Sequence, residues 1–233
     1  NLALMRCIMT TKTAMILAAG RGERMRPLTD STPKPLLTVK NKALIEYHID
    51  NLVLAGYQRI VINHAWLGEQ IVTAIGDGRR YGCAILYSKE QQALETAGGI
   101  IQALPLLCQS ESEHTFTVVN GDIYTDFAFD ALPETLAPGQ GHLVMVNNPQ
   151  HNPCGDFALD AGYLASEGRR KLTFSGIARY HRTFFSSQQS GVQPLAPMLR
   201  SAMRDKAVTG QAFFGHWIDV GTPERLNSLN ELA

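Results

Sequence analysis

The stretch AMILAAGRGERMRPLTDSTPKPL runs from Ala14 to Leu36. It belongs to a short apolar run, Thr13–Ala18, that breaks into glycine at Gly20 and Gly22. Arg21, Arg24 and Arg26 follow at once, and Lys34 stands between Pro33 and Pro35. A buried strand that empties into glycine, arginine and a braced lysine reads as a loop built to hold an anion. Glycines let backbone N–H groups turn toward a phosphate chain, as in other anion nests. Proline fixes φ at its own position and restricts the residue before it, so Lys34 is stiffened. On the residues alone, a glycine-rich turn with solvated arginines is the plainer alternative.

Two phosphate-binding motifs are excluded. A dinucleotide fingerprint needs a third glycine where Met25 stands, and an acidic residue about 20 positions on at a second strand end. A P-loop needs a Gly-Lys pair, and the chain contains none.

Outward from this loop, strands and helices alternate. Apolar residues at helical spacing run from Ala43 to Gly56, a glycine stop. RIVINH (59–64) reads as a strand, LGEQIVTAIGDG (67–78) as a helix, CAILYS (83–88) as a strand and ETAGGIIQALPLL (95–107) as a helix. TFTVVNGD (115–122) is a strand ending in a polar turn. That order predicts a parallel sheet with helices on both faces, with functional groups at the C-terminal strand ends. The second half reads mostly as strands: HLVMVNNP, DFALDAGYLA, KLTFSGIARYH and AVTGQAFFGHWIDVG. Helices are expected near 193–204 and 222–232. The expectation is one α/β domain over residues 12–233, with residues 1–11 a leader, an alternative start or an appended remnant.

With 233 residues, 45% of them hydrophobic, the chain is long enough to bury a self-sufficient core. The formal net charge is +0, so no global field draws nucleic acid, and anion chemistry must come from local clusters. Cys7, Cys83, Cys108 and Cys154 are scattered, with no CxxC pair and no zinc spacing. They read as reduced thiols in a cytoplasmic protein. No apolar run reaches the roughly 20 residues that span a bilayer. Asp122 and Asp219 each follow an apolar run, where an Asx turn or a helix cap is the ordinary role. His64 and His216 read as structural strand-end histidines, Trp66 as packing, and Tyr47 and His48 as core and rim.

LAAGRGERMRPLTDSTPKPLL resembles the signature of the sugar-1-phosphate nucleotidylyltransferases, L-A-x-G-x-G-x-R-[ML]-x-P-L-T followed by P-K-P. Gly121-Asp122 resembles the family's GD, and Trp217 to Pro223 its W-x-D-x-G-T-P, so the likeness spans residues 14 to about 225. It implies a Rossmann-like three-layer fold around a mixed, mostly parallel sheet of seven strands. It also implies transfer of a nucleotidyl group from an NTP to a sugar-1-phosphate with release of pyrophosphate. The implied nucleotide site is Ala18, Ala19, Gly20, Gly22, Glu23, Arg24 and Lys34, with Arg24 and Lys34 catalytic and Gly98 near the base. The implied sugar contacts are Glu95, Asn120, Gly155 and Ser175, and Asp122 and Asp219 would hold Mg²⁺.

IEYHI, VINHAWLG, TFSGI and GHWIDVGT most resemble the uridylyl-transferring branch that takes N-acetylmuramate-1-phosphate in bacterial cell-wall recycling. Many family members carry Glu-Lys-Pro after the sugar glycine; GYLASEGRRKL (162–172) stands there instead. Glu167 is a poor substitute by position, and Arg169, Arg170 and Lys171 are candidates to attract a lactyl carboxylate. A mannose-1-phosphate guanylyltransferase is the alternative within the class. A non-catalytic nucleotide-binding module is disfavoured because Arg24, Lys34, Asp122 and Asp219 are all present. The expected partners are the NTP and sugar-1-phosphate substrates, with no nucleic acid or membrane, in a monomer or dimer.

Overall fold

The computed structural model describes residues 11–232. The strands are β1 (Thr13–Leu17), β2 (Thr38–Val39), β3 (Lys42–Ala43), β4 (Arg59–His64), β5 (Ala84–Lys89), β6 (Thr115–Asn120), β7 (Ile123–Thr125), β8 (Gly141–Val146), β9 (Phe157–Asp160), β10 (Tyr163–Ala165), β11 (Lys171–His181), β12 (Val208–Phe213) and β13 (Trp217–Asp219). The helices are α1 (Leu44–Leu54), α2 (Gly68–Ile75), α3 (Glu95–Leu107), α4 (Leu195–Arg204) and α5 (Pro223–Leu232).

The main sheet has nine strands in the order β5-β4-β1-β6-β11-β8-β12-β10-β9. β5, β4, β1 and β6 are parallel; β11 runs antiparallel to both β6 and β8, and β12 returns parallel to β8. The expected seven strands are therefore extended by a β9–β10 hairpin, which pairs with β12 and with the start of β11. Local turns at Ala161 and Gly162, both at positive φ, make that hairpin.

Side chains alternate across the sheet with the period of a strand. Met15 and Val61 face one core with Ile100, Ala103 and Leu107 of α3 and Leu199 and Met203 of α4. Ala14, Ile16, Ile60 and Ile62 face the other with Ile45, Ile49 and Leu52 of α1 and Ile71 and Ile75 of α2. A smaller cluster joins Met25, Leu37 and Leu44 to Val220, Leu226 and Leu229, packing α5 beneath the Arg/Pro loop. No helix among the described residues is long and apolar enough to cross a membrane.

β13 leaves the main sheet. It pairs with β7, with Asp219 opposite Ile123, and the Val220 N–H donates to the Asp122 carbonyl at 2.9 Å. That small ladder brings the backbone of Asp219 against that of the Asp122–Ile123 segment from the middle of the chain.

Candidate active site

A cavity of about 360 Å³ opens at the C-terminal ends of β1, β4 and β6. Leu17, Ala18, Ala19 and Gly20 form one wall, Asn63, Glu90 and residues 93–96 another, and Asn120, Gly121, Asp122, Lys34 and Pro35 the floor. Gly121 is required there: a Cβ would stand 2.7 Å from the Leu17 carbonyl that accepts the Gly121 N–H.

The loop after β1 is fixed from several sides. Gly22 sits at φ +70, and a Cβ would meet Thr29 Cγ2 at 2.9 Å, so this left-handed turn accepts only glycine. The Thr29 hydroxyl donates to the Gly22 carbonyl at 2.8 Å. The Arg21 guanidinium lies 3.5 Å over the Trp66 ring, and both Arg21 Nη1 and Trp66 Nε1 donate to the Thr29 carbonyl. Gln70 of α2 donates to the Ser31 carbonyl. The loop's shape therefore depends on the segment that links β4 to α2.

Lys34 begins a short 3₁₀ turn between its prolines and is 8% exposed. Its Nζ lies 2.6 Å from Asp122 Oδ2. Asp219 Oδ2 accepts from Arg225 Nη1 at 2.7 Å and lies 3.1 Å from His151 Nε2. Arg24 is exposed and, among the described residues, makes no side-chain hydrogen bond or ion pair. Gly22, Glu23 and Arg24 do not line the cavity; Ala18, Ala19, Gly20 and Lys34 do.

Among the described residues, no three or more His, Cys, Asp or Glu side chains form a metal-binding group. Asp122 and Asp219 offer oxygen alone. One or two carboxylates completed by phosphate oxygens and water is the donor set that a hard divalent cation accepts, so these residues fit one.

Glu95 and Asn120 line the cavity. Glu95 opens α3 at φ +61, a conformation that non-glycine residues adopt at a cost. Ser175, the expected sugar contact on β11, is enclosed in the sheet. It is fully buried, its hydroxyl accepts from the Ile177 N–H in the β11 irregularity, and its carbonyl accepts from Trp217 Nε1. Gly98 lies outside the cavity lining, and its N–H donates to the Gln193 carbonyl. Ala93 and Leu94 line the wall instead. Gly155 lies in the β8–β9 loop, with its N–H on the Asn152 carbonyl. Glu167 points to solvent and pairs with Lys171, while Arg169 and Arg170 are exposed.

The sequence pointed to none of Asn63, Glu90, His151 and Arg225. Asn63 Oδ1 accepts from the Ala18 N–H, its Nδ2 donates to Glu90 Oε1 at 2.6 Å, and Glu90 Oε2 accepts from the Leu94 N–H. This buried relay ties the wall carrying Leu94 to the end of β1. A polar residue closing each apolar strand was its only local signal. His64 is buried and packed against Gly68, and burial lowers its pKa. His48 is wholly buried and its pKa is pushed down to about 4, whereas Tyr47 is half-buried with its hydroxyl on the Val39 carbonyl.

The family model described as nucleotidyl transferase matches residues 13–155. The chain is a nucleotidyl transferase. The transferase is 52% identical, over 94% of its own length and 97% of the relative's, to the N-acetylmuramate alpha-1-phosphate uridylyltransferase of Neisseria meningitidis. It is 31% identical to the protein of that name from Caulobacter vibrioides, over 91% and 93%. A Bacillus anthracis crystal structure named for glucose-1-phosphate thymidylyltransferase, in complex with sucrose, superposes on the transferase with a TM-score of 0.84. It covers 96% of this chain and 95% of the other at 20% identity, a likeness of fold. The mixed sheet is thus shared with solved nucleotidyltransferases, a family that works with a divalent metal.

Proposed function

We propose that this nucleotidyl transferase moves the uridylyl group of UTP onto N-acetylmuramate α-1-phosphate, forming a UDP-sugar and releasing pyrophosphate. One observation carries the reading. Lys34, nearly buried, lies 2.6 Å from Asp122 at the floor of a cavity walled by the glycine loop. The end-to-end identity with the Neisseria relative supports the acceptor and the base.

A phosphate oxygen of the sugar phosphate attacks the α-phosphorus in line. The bond to the β-phosphate oxygen breaks, and pyrophosphate leaves with the electron pair. No covalent enzyme intermediate forms. The residues act by positioning and by neutralising charge. The Ala18–Gly22 backbone cradles the triphosphate, with Glu23 at its turn, and Arg24 faces the leaving pyrophosphate. Lys34 lies between the phosphates of the two substrates. Asn120, Glu95 and the Gly155 loop orient the sugar. Mg²⁺ held by Asp122 and Asp219 would supply charge neutralisation at the α-phosphate. We read residues 12–233 as one Rossmann-like three-layer domain that works in the cytoplasm.

The test is pyrophosphate release with UTP, GTP, dTTP and CTP, each crossed with N-acetylmuramate α-1-phosphate, mannose-1-phosphate and glucose-1-phosphate. UTP with N-acetylmuramate α-1-phosphate is expected to lead by more than tenfold in kcat/KM. A preference for GTP with mannose-1-phosphate refutes the assignment.

A further inference from the structure

The loop between β8 and β9 is held from within. Asn148 Nδ2 donates to the carbonyls of Pro153 and Lys171, and its Oδ1 accepts from the Thr173 hydroxyl. Asn152 Nδ2 donates to Asp156 and Thr173, and Asp156 Oδ2 accepts from the Phe174 N–H. These side chains are committed to the loop's shape and to β11. His151 is turned the other way. It reaches across to Asp219, with Nε2 3.1 Å from Oδ2, and its side chain stays 34% exposed.

Asp219 does not need it for charge balance. Arg225 Nη1 already lies 2.7 Å from the same oxygen and also donates to the Asp219 carbonyl at 3.1 Å. The His151 ring nitrogen thus stands 3.1 Å from an oxygen that a divalent cation would also claim, without the alignment of a hydrogen bond. A cation that takes Asp219 leaves the neighbouring His151 nitrogen, which is committed to no hydrogen bond there, open to another partner. On the reaction proposed above, the acceptor is a phosphate monoester, rich in anionic oxygens, and it approaches the place where Asp219 would hold the cation.

We propose that His151 is an acceptor-positioning residue: it stands against Asp219 in the free protein and presents its Nε2–H to the phosphate of the incoming sugar-1-phosphate. The role rests on the acceptor assignment made above. A rigid loop suits it, because the donor is presented without an ordering cost at the moment of binding.

The experiment compares wild type, His151→Ala and His151→Gln. N-acetylmuramate α-1-phosphate is titrated calorimetrically into each protein holding Mg²⁺ and the uncleavable α,β-methylene analogue of UTP. The Ala variant should bind the sugar phosphate at least tenfold more weakly, and the Gln variant, which keeps a donor, should recover part of that. KM for UTP should stay within twofold, and thermal unfolding should match wild type. Mn²⁺ affinity, read by electron paramagnetic resonance, should be equal or higher in the Ala variant, because a competitor for Asp219 has gone. Equal sugar-phosphate affinity in the Ala variant and wild type overturns the role of His151 alone. A fall in Mn²⁺ affinity makes His151 a metal ligand and overturns it too. A wild-type protein that binds no sugar-1-phosphate overturns the acceptor assignment and this role together.

Discussion

Replacing Lys34 with methionine keeps the length of the side chain and removes its charge. Lys34 Nζ lies 2.6 Å from Asp122 and is 8% exposed, so its charge acts in a partly desolvated place. A unit charge about 4 Å from a phosphate oxygen, at an effective dielectric near 20, interacts by about 4 kcal/mol. Some of this already acts in the bound ground state. If about two thirds is realised only as charge moves onto the departing pyrophosphate, kcat falls about 100-fold, or ~2.7 kcal/mol. The fold should tolerate the change. The Asp122 side chain is 37% exposed and stays hydrated once its partner is gone, so the loss of stability should be within about 1 kcal/mol. Continuous pyrophosphate release gives kcat and both KM values, and a thermal melt checks the fold. Lys34→Arg should not restore the rate, because a planar fork does not replace a compact ammonium in so confined a position. A Lys34→Met protein that melts like wild type and retains activity within threefold refutes the reasoning.

Asp122→Asn and Asp219→Asn should each raise the Mg²⁺ requirement or abolish turnover, and the double variant should be little worse than the poorer single one, because the two act as a unit; multiplicative losses would separate them. Glu95→Gly removes a side chain held at φ +61; stability should hold or rise by up to about 1 kcal/mol, while KM for the sugar phosphate rises several-fold in steady-state assays. Trp66→Leu removes the ring under Arg21 and a donor to Thr29; KM for UTP should rise about five- to tenfold with kcat nearly unchanged, and nucleotide-dependent quenching of tryptophan emission should shrink. His48 has a folded pKa of about 4 against 6.5 for the free side chain, so it favours the fold fully above pH 6.5 and loses that contribution as pH falls toward 4. The loss reaches roughly 3 kcal/mol by about pH 4, and His64, His142 and His181, each lowered by burial, act in the same direction. Urea titrations between pH 7 and 4.5 should show the decline, with His48→Leu flattening part of it.

What could be read from the sequence was whatever a local pattern encodes. α3 and β11 have the limits that their apolar periodicity and flanking turns predict, Glu95–Leu107 and Lys171–His181. The strand-to-glycine passage after β1 was equally plain. The β9–β10 extension was legible as two strands, but its place at the end of the main sheet was not, because pairing with β12 is a long-range choice. The same limit applies to Ser175 and Gly98. Both lie in stretches whose local pattern was right. Tertiary hydrogen bonds with Trp217 and Gln193 then decided how each one faces. His151 carried no signal, since only the fold sets it beside a residue 68 positions away.

The pairings in the site have a common logic. Lys34 is matched to Asp122, and Arg225 and His151 to Asp219. A bare cluster of cations close to the ends of parallel strands would repel itself, and lone carboxylates there would lose hydration with nothing in return. Matched in this way, each charge is held in position at little net cost before substrate arrives. On the proposed reaction, binding would exchange partners: phosphate oxygens would take over from aspartate beside Lys34 and His151, and the aspartates would turn toward a cation. Because such an exchange would swap one close partner for another, ordering the site before the reaction would need little reorganisation. That is the condition under which fixed charges stabilise a transition state better than water does. The +0 net charge of the chain is therefore compatible with the proposed local anion chemistry, because the cations assigned to phosphate carry their own counter-charges in the free protein.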